Sequence, residues 1–269
     1  MKIDSLAFQT DLYFHRFNGV VIEYDNYYVV QTPSNPKFFW GNLLYFKNPP
    51  QSDSLLKWQK MFNEKFYSLA VEHMTFSWDS LSGEVGESSK FIAEGFNLEK
   101  SLVMVNDQIL SPKKLNKDLE IRAIMTENDW QQVINNQVAN RAQHFEEDPY
   151  RKFTVRKIAD YRLMISQNLG LWMGAFLGET LIGDLGLFYQ NGLGRFQTVG
   201  THPDYRRIGA CSTLMYQTLL FAQEHLSVSK FVIVAAPNYF ASDIYQSVGF
   251  SYHEIQIGLC KFNKDIWVT

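Results

Sequence analysis

The chain has 269 residues, of which 46% are hydrophobic, 15% aromatic and 20% charged. That is enough apolar material for a sizeable core and, at ~150 residues per domain, enough chain for about two domains. A net charge of −3 with no lysine- or arginine-dense block argues against nucleic acid as the main partner.

Residues 1–17 lack the apolar stretch of a signal peptide, and the longest near-apolar run, 169–178, is too short to span a bilayer. No membrane association is expected. Two cysteines, Cys211 and Cys260, make no disulfide framework and fit a cytoplasmic, reducing setting. In chain order, the first part reads as strand-rich: strands at 20–24, 27–31 and 41–46, a helix over 52–67 with Leu55, Leu56, Gln59, Phe62 and Phe66 at helical spacing, a strand at 73–78, a short helix at 87–93 and a strand at 100–105. Polar turn-formers gather at 106–118, which places a domain boundary after Asp118: residues 1–118 and 119–269.

The second part begins with a strand at 119–125. Thr126 then caps a helix running to Arg141, with Glu127 and Asp129 near its start, and a second helix covers 150–167. Strands at 171–177 and 180–189 form a hairpin around Gly178-Glu179, and Gly192-Leu193-Gly194 reads as a turn rather than a dinucleotide motif. A strand at 195–201, a helix at 212–225, a buried strand at 231–235 and a helix at 239–247 stopping at Gly249 follow. The stretch 251–262 is expected to close this sheet.

The most telling segment is 201–215. A β-leaning run stops at a proline turn; a basic, glycine-containing loop and an amphipathic helix follow. The first turn of a helix leaves N–H groups without partners, and its dipole favours a negative group in front of them. Gly209 has no side chain to block a pyrophosphate, and Arg206 and Arg207 bring forked donors. Gly200, inside a β-run, suggests a bulge or a close backbone approach. An internal echo is also visible: Phe91-Ile-Ala-Glu-Gly-Phe96 parallels Tyr245-Gln-Ser-Val-Gly-Phe250, so the chain reads as two copies of one half-fold. The matching loop of the first copy, Lys47-Asn-Pro-Pro-Gln, has no glycine and two prolines, and prolines carry no N–H.

Arg206-Arg207-Ile208-Gly209-Ala210-Cys211 resembles the Q/R-x-x-G-x-G/A motif of the GCN5-related N-acetyltransferases (GNATs). Asn238, Tyr245 and Gly249-Phe250 resemble that family's N-x₇-Y-x₃-G-F segment. Cys211 departs from the motif, standing where glycine or alanine is preferred; it is small enough for the loop to survive. The resemblance covers roughly residues 120–262 and implies an α/β fold of two GNAT-like halves, each a mixed, mostly antiparallel twisted sheet flanked by helices, with a degenerate first half. It implies acetyl-CoA as acyl donor, held by Val199, Gly200, Thr201, Arg206, Arg207, Ile208, Gly209, Ala210, Cys211, Ser212 and Asn238. Its strand at 195–201 would splay from the next, and Val199 to Thr201 would pair with the pantetheine arm.

The implied chemistry is direct attack of a primary amine on the thioester in a ternary complex. A main-chain N–H near Val199, Gly200 or Thr201 would face the carbonyl oxygen, and Tyr245 would protonate the thiolate, a phenol of pKa ~10 meeting a thiol of roughly 8.5. Phe91, the counterpart of Tyr245, has no hydroxyl. The base stays open among Asp184, Glu179, His202 and a water chain, with His202 also readable as a turn residue.

The six histidines form no His-x-x-x-His pair and there is no Cys-x-x-Cys, so no metal site is expected. Glu146-Glu147-Asp148 reads as a solvated helix start or an attractor of cations. Cys211 reads as a small packing residue or as a thiol with lowered pKa at a helix start. The acceptor, a small-molecule or peptide amine, is not legible, nor is the choice between monomer and homodimer. A non-catalytic acyl-CoA-binding sensor or scaffold is the rival reading, and a protein-interaction module a third.

Overall fold

The computed structural model describes residues 1–69, 71–143, 145–237 and 242–262. In chain order these form α1 (Leu6–Asn18), β1 (Val20–Glu23), β2 (Tyr27–Gln31), β3 (Leu43–Phe46), α2 (Ser54–Phe66), β4 (His73–Trp78), α3 (Ser89–Ala93) and β5 (Asn97–Asn106). There follow β6 (Glu120–Ala123), α4 (Glu127–Ala139), α5 (Glu147–Ser166), β7 (Gly170–Leu177), β8 (Thr180–Gln190), β9 (Leu193–Thr201), α6 (Ala210–His225), β10 (Lys230–Ala235), α7 (Ser242–Ser247) and β11 (Ser251–Phe262). No helix among the described residues is long and apolar enough to cross a membrane.

Two compact units emerge: residues 1–103 with 234–237 and 252–269, and residues 104–233 with 238–251. The division is therefore not a single cut after Asp118. In the first unit the strand order is β1-β2-β3-β4-β11-β5. β1, β2 and β3 are antiparallel neighbours, and β3 runs parallel to β4 after the crossover through α2. The last strand of the sequence, β11, was expected to close the C-terminal sheet. It lies antiparallel beside β4, with Gly258 opposite Ser77 and Phe262 opposite His73. The reason is its apolar residues: Ile257 and Leu259 complete a core of Phe46, Trp58, Phe62, Phe66, Phe76, Trp78, Phe91 and Phe96. Alternation along β2 sends Val29 into that core and Tyr28 and Val30 to the opposite face, where Phe8 and Leu12 of α1 cover them.

α1 is absent from the sequence reading, and its composition explains why. Its buried face mixes Ala7, Phe8 and Leu12 with Thr10 and His15, so the apolar period is weak. Its N-terminus is stabilised from far along the chain. Ser5 accepts from the Phe8 N–H at 3.1 Å, and the buried Glu254 carboxylate accepts from the Ser5 hydroxyl (2.8 Å) and the N–H groups of Leu6 (3.1 Å) and Ala7 (2.9 Å). Such a carboxylate satisfies orphan donors and complements the helix dipole.

In the second unit β6, β7, β8 and β9 are successive antiparallel neighbours, and β10 runs parallel to β9 after α6. The β8–β9 turn is Asn191-Gly192, with both φ values positive (52° and 78°), as a tight two-residue hairpin requires. Thr126 forms a capping box with Asp129 at the start of α4, as the sequence leads one to expect. α5 begins three residues earlier than expected, at Glu147, because Pro149 is tolerated in a first helical turn, where its missing N–H is an orphan anyway. α6 begins at Ala210 rather than Ser212. The α7 helix is described from Ser242; its expected first residues, 239–241, lie outside the described residues.

The sequence echo has a structural counterpart. After α3, Phe96 N–H returns to Phe91 O (3.0 Å) across Gly95 at φ 89°; after α7, Phe250 N–H returns to Tyr245 O (3.1 Å) across Gly249 at φ 104°. Left-handed glycines of this kind end helices without a Cβ penalty.

Candidate active site

The site is built where β9 passes through the loop 202–209 into α6. β9 pairs with β8 along its length, but the register slips by one residue: Asp184 faces Gly200 while Gly186 faces Gln197. The extra residue makes a bulge whose strained member is Thr198, a non-glycine residue at φ 48°. The bulge implied by Gly200 thus centres two residues earlier. On its other side, β9 pairs with β10 through Leu193, Gly194 and Arg195, opposite Lys230, Phe231 and Val232. No further β9–β10 pair occurs among the described residues, so the end of β9 is open on that side.

At the loop, Pro203–Tyr205 makes one short turn capped by His202, whose Nδ1 accepts from Asp204 N–H at 3.3 Å. His202 is a turn residue. Arg207 and Gly209 both adopt positive φ (65° and 81°), and Gly209 stands as the N-cap of α6. Among the described residues, no main-chain N–H from 207 to 212 donates a hydrogen bond; the first α6 amide with a partner is that of Thr213, to Gly209 O at 3.1 Å. A row of orphan donors thus surrounds a glycine at the positive end of a helix. Arg206 and Arg207 are exposed beside it.

A cleft of about 660 Å³ lies along this row. It is lined by Val199, Gly200 and Thr201 of β9, Arg206, Arg207 and Gly209 of the loop, Ala210, Cys211 and Ser212 of α6, Ile244 and Tyr245 of α7, and Asn140 just beyond α4. Ten of the residues implied from sequence therefore share one cavity. Ile208 does not line it; its carbonyl accepts from Asn116 Nδ2 at 3.0 Å. Asn238 lies outside the described residues. Tyr245 is 3% exposed yet borders the cleft, so its ring is packed and its surroundings are largely dry. Burial pushes the Cys211 thiol up to about 12, while a hydrogen bond with Thr201 acts in the other direction. The lowered pKa that a helix start offers is overridden, and Cys211 stands half-buried on the cleft wall.

Asn140, Ile244, Asn116 and the amides Asn136 and Gln137 were missed by sequence reasoning. Asn136 (2% exposed) and Gln137 (9%) sit on the buried face of α4 with Trp130 and Val133. Uncharged amides at core positions of an amphipathic helix were the available signal. Asn116 belongs to the stretch read as a linker; it clamps the loop through Ile208 O and, by its own N–H, the Thr213 hydroxyl at 2.9 Å. Of the candidate bases, Glu179 is exposed at the β7–β8 turn and does not line the cleft. Asp184 is fully buried and accepts three side-chain hydrogen bonds; burial raises its carboxyl to about 7, with Asn136, Gln137 and Trp172 pulling it down. Glu147 meets Arg141 at 3.4 Å and Arg151 at 3.3 Å in a solvent-facing cluster. No group of three or more potential metal ligands occurs among the described residues.

The donor set fits a coenzyme A thioester: orphan amides, two arginines and an αL glycine for a diphosphate, then an open strand edge for an amide-bearing arm. Residues 130–250 match the model of the acetyltransferase (GNAT) family. No curated protein matches the chain. Among solved structures, a functionally unknown conserved protein from Staphylococcus epidermidis ATCC 12228 is 17% identical with a TM-score of 0.73, over 92% of this chain and 95% of that one. A GCN5-related N-acetyltransferase from Kribbella flavida is 11% identical with a TM-score of 0.65, over 96% and 95%. A tandem GNAT protein from the clavulanic acid biosynthesis pathway is 12% identical with a TM-score of 0.54, over 76% and 68%. At these identities the likeness is one of fold.

Proposed function

We propose that the chain, whose residues 130–250 match the model of the acetyltransferase (GNAT) family, transfers the acetyl group of acetyl-CoA to a primary amine by direct attack in a ternary complex. The observation that carries the reading is the unpartnered run of amides over 207–212 around Gly209 at φ 81°. When bound, the acetyl thioester supplies an electrophilic carbonyl and a thiolate leaving group. The loop amides with Arg206 and Arg207 bind the diphosphate. Val199, Gly200 and Thr201 offer main-chain groups to the pantetheine arm and, at the bulge, a donor for the carbonyl oxygen as charge grows on it.

Tyr245 would give its phenolic proton to the departing sulfur as the amine nitrogen bonds to the carbonyl carbon and the C–S bond breaks; the surplus amine proton leaves to water, and Tyr245 regains its own from solvent. Asp184 is enclosed, so it does not take that proton directly. A phenol at the cleft favours an enzyme over a non-catalytic acyl-CoA sensor, which has no use for a proton donor.

The first unit is read as the structural copy. Its β3 stays paired with β4 to its last residue, Phe46 opposite Trp78, and Phe46 stacks on Trp58 at 3.8 Å. The gap that β9 leaves open has no equivalent there. The proposal is tested by following thiol release from acetyl-CoA against a panel of small amines, amino acids and peptide N-termini. Acceptor-dependent release supports it. Binding of CoA without release for any amine returns the sensor reading.

A further inference from the structure

The bulge in β9 is held from α4 by a polar cluster with a definite donor logic. Each side-chain amide of two adjacent residues divides its two N–H groups. Gln137 Nε2 donates to Asp184 Oδ1 at 2.7 Å and to Thr198 O at 2.9 Å. Asn136 Nδ2 donates to Asp184 Oδ2 at 2.5 Å and to Gly200 O at 3.4 Å. Trp172 Nε1 completes the carboxylate at 3.0 Å. Asp184 is 0% exposed, and all three groups facing it are donors. Once ionised, above about pH 7, a carboxylate surrounded in this way accepts only, so it fixes which end of each amide points toward it. The second N–H of each amide then aims at a carbonyl on either side of Val199. The approach is close: a Cβ on Gly200 would sit 3.3 Å from Gln137 Nε2. The same helix end also reaches the loop, since Asn140 Oδ1 accepts from Arg206 Nη2 at 2.9 Å and Asn140 Nδ2 donates to Asn136 O at 2.9 Å.

We propose that Asp184 is a positioning residue for acyl-CoA: through Asn136 and Gln137 it pins the strained Thr198–Gly200 bulge, so that the main chain of β9 meets the pantetheine arm in one fixed geometry. The bulge costs backbone strain at Thr198, and strain of this kind persists only where surrounding contacts over-determine it. Two amide bonds oriented by one buried carboxylate supply that constraint. The role of Asp184 in the free protein stands on these hydrogen bonds alone; its consequence for the ligand rests on the acyl-CoA reading above.

The test uses the full chain and two variants, Asp184→Asn and the nearly isosteric Gln137→Met, with their double. Circular dichroism and thermal melting establish that each folds. In the free protein, hydrogen exchange at the amides of 198–201 is expected to accelerate in both variants while that of α6 is unchanged; unchanged exchange at 198–201 overturns the proposal. Calorimetry then compares CoA with 3′-phospho-ADP, which reaches the loop but has no pantetheine. The variants are expected to bind CoA about tenfold more weakly and 3′-phospho-ADP within about twofold of wild type, as the loss of a charge-assisted hydrogen bond near the arm alone implies. The double variant is expected to be no weaker than Asp184→Asn, since both act through one chain of contacts. Equal losses for both ligands mean a general structural role and overturn the proposal. A wild-type chain that binds neither ligand contradicts the transferase reading instead, and exchange at 198–201 then decides the role of Asp184 on its own.

Discussion

In the proposed reaction Tyr245 and Gly209 serve for opposite reasons, one through a hydroxyl and one through the lack of a side chain. Replacing Tyr245 by Phe keeps the packed ring and removes the proton donor. Turnover is expected to fall by about 10²-fold or more, as loss of a general acid does, with CoA affinity unchanged in calorimetry; an unaltered kcat removes Tyr245 from the mechanism. At Gly209, φ of 81° disfavours any L side chain, although space exists, the nearest atom to an added Cβ being Lys114 O at 3.5 Å. Gly209→Val is therefore expected to cost about 1–2 kcal/mol in urea unfolding through backbone strain and to weaken CoA through crowding of the orphan amides. Asp184 adds a pH signature. Its folded carboxyl titrates at about 7 against the usual 3.8, so between those values the folded state keeps a proton that the unfolded chain has lost. Its contribution to stability is full at low pH and is lost as pH rises through about 7. The slope should vanish in Asp184→Asn when urea midpoints are compared from about pH 4 to 8.

Among the elements, those with local signals were legible and those held by distant partners were not. α4 was readable because Thr126, Glu127 and Asp129 announce its start within its own sequence. The β8–β9 turn was read at Gly192-Leu193-Gly194 and lies one residue earlier, at Asn191-Gly192, which suits a turn needing two positive φ angles; Leu193 and Gly194 already belong to β9. The cleft wall was legible in the loop from Arg206, Arg207 and Gly209, and in β9 and α6 through the resemblance of the 206–211 stretch to a family motif. α1 was hidden because its N-terminal cap includes Glu254, far along the chain, and its apolar stripe is broken by Thr10 and His15. β11 was seen as a strand, but an alternating apolar pattern does not say which neighbour it joins. The Glu254 contact predicts its own cost: Glu254→Ala strands the donors of the half-buried Leu6 and the buried Ala7, and should destabilise the fold by about 1–3 kcal/mol, measured as a shift in urea midpoint, whereas substitution of the exposed Asp148 should leave it within error.

For the molecule as a whole, the two units carry the same order of strand, crossover helix and parallel strand: β3–α2–β4 in one, β9–α6–β10 in the other. The loops between strand and helix differ in kind. One has two prolines and a strand pair closed to its end; the other has free amides and a strand pair that stops at Arg195. On the proposed function, that contrast goes with coenzyme binding in the second unit and leaves the aromatic core of the first to scaffolding. The loop amides are the centre of this account, and nuclear magnetic resonance reads them one by one. On titration with CoA, the backbone amide signals of 207–212 are predicted to shift first and furthest, those of 199–201 to follow, and those of 47–54 to stay in place. A spectrum in which 207–212 do not move at saturating CoA, or in which the shifts gather elsewhere, contradicts the assignment of this cleft to a coenzyme A thioester.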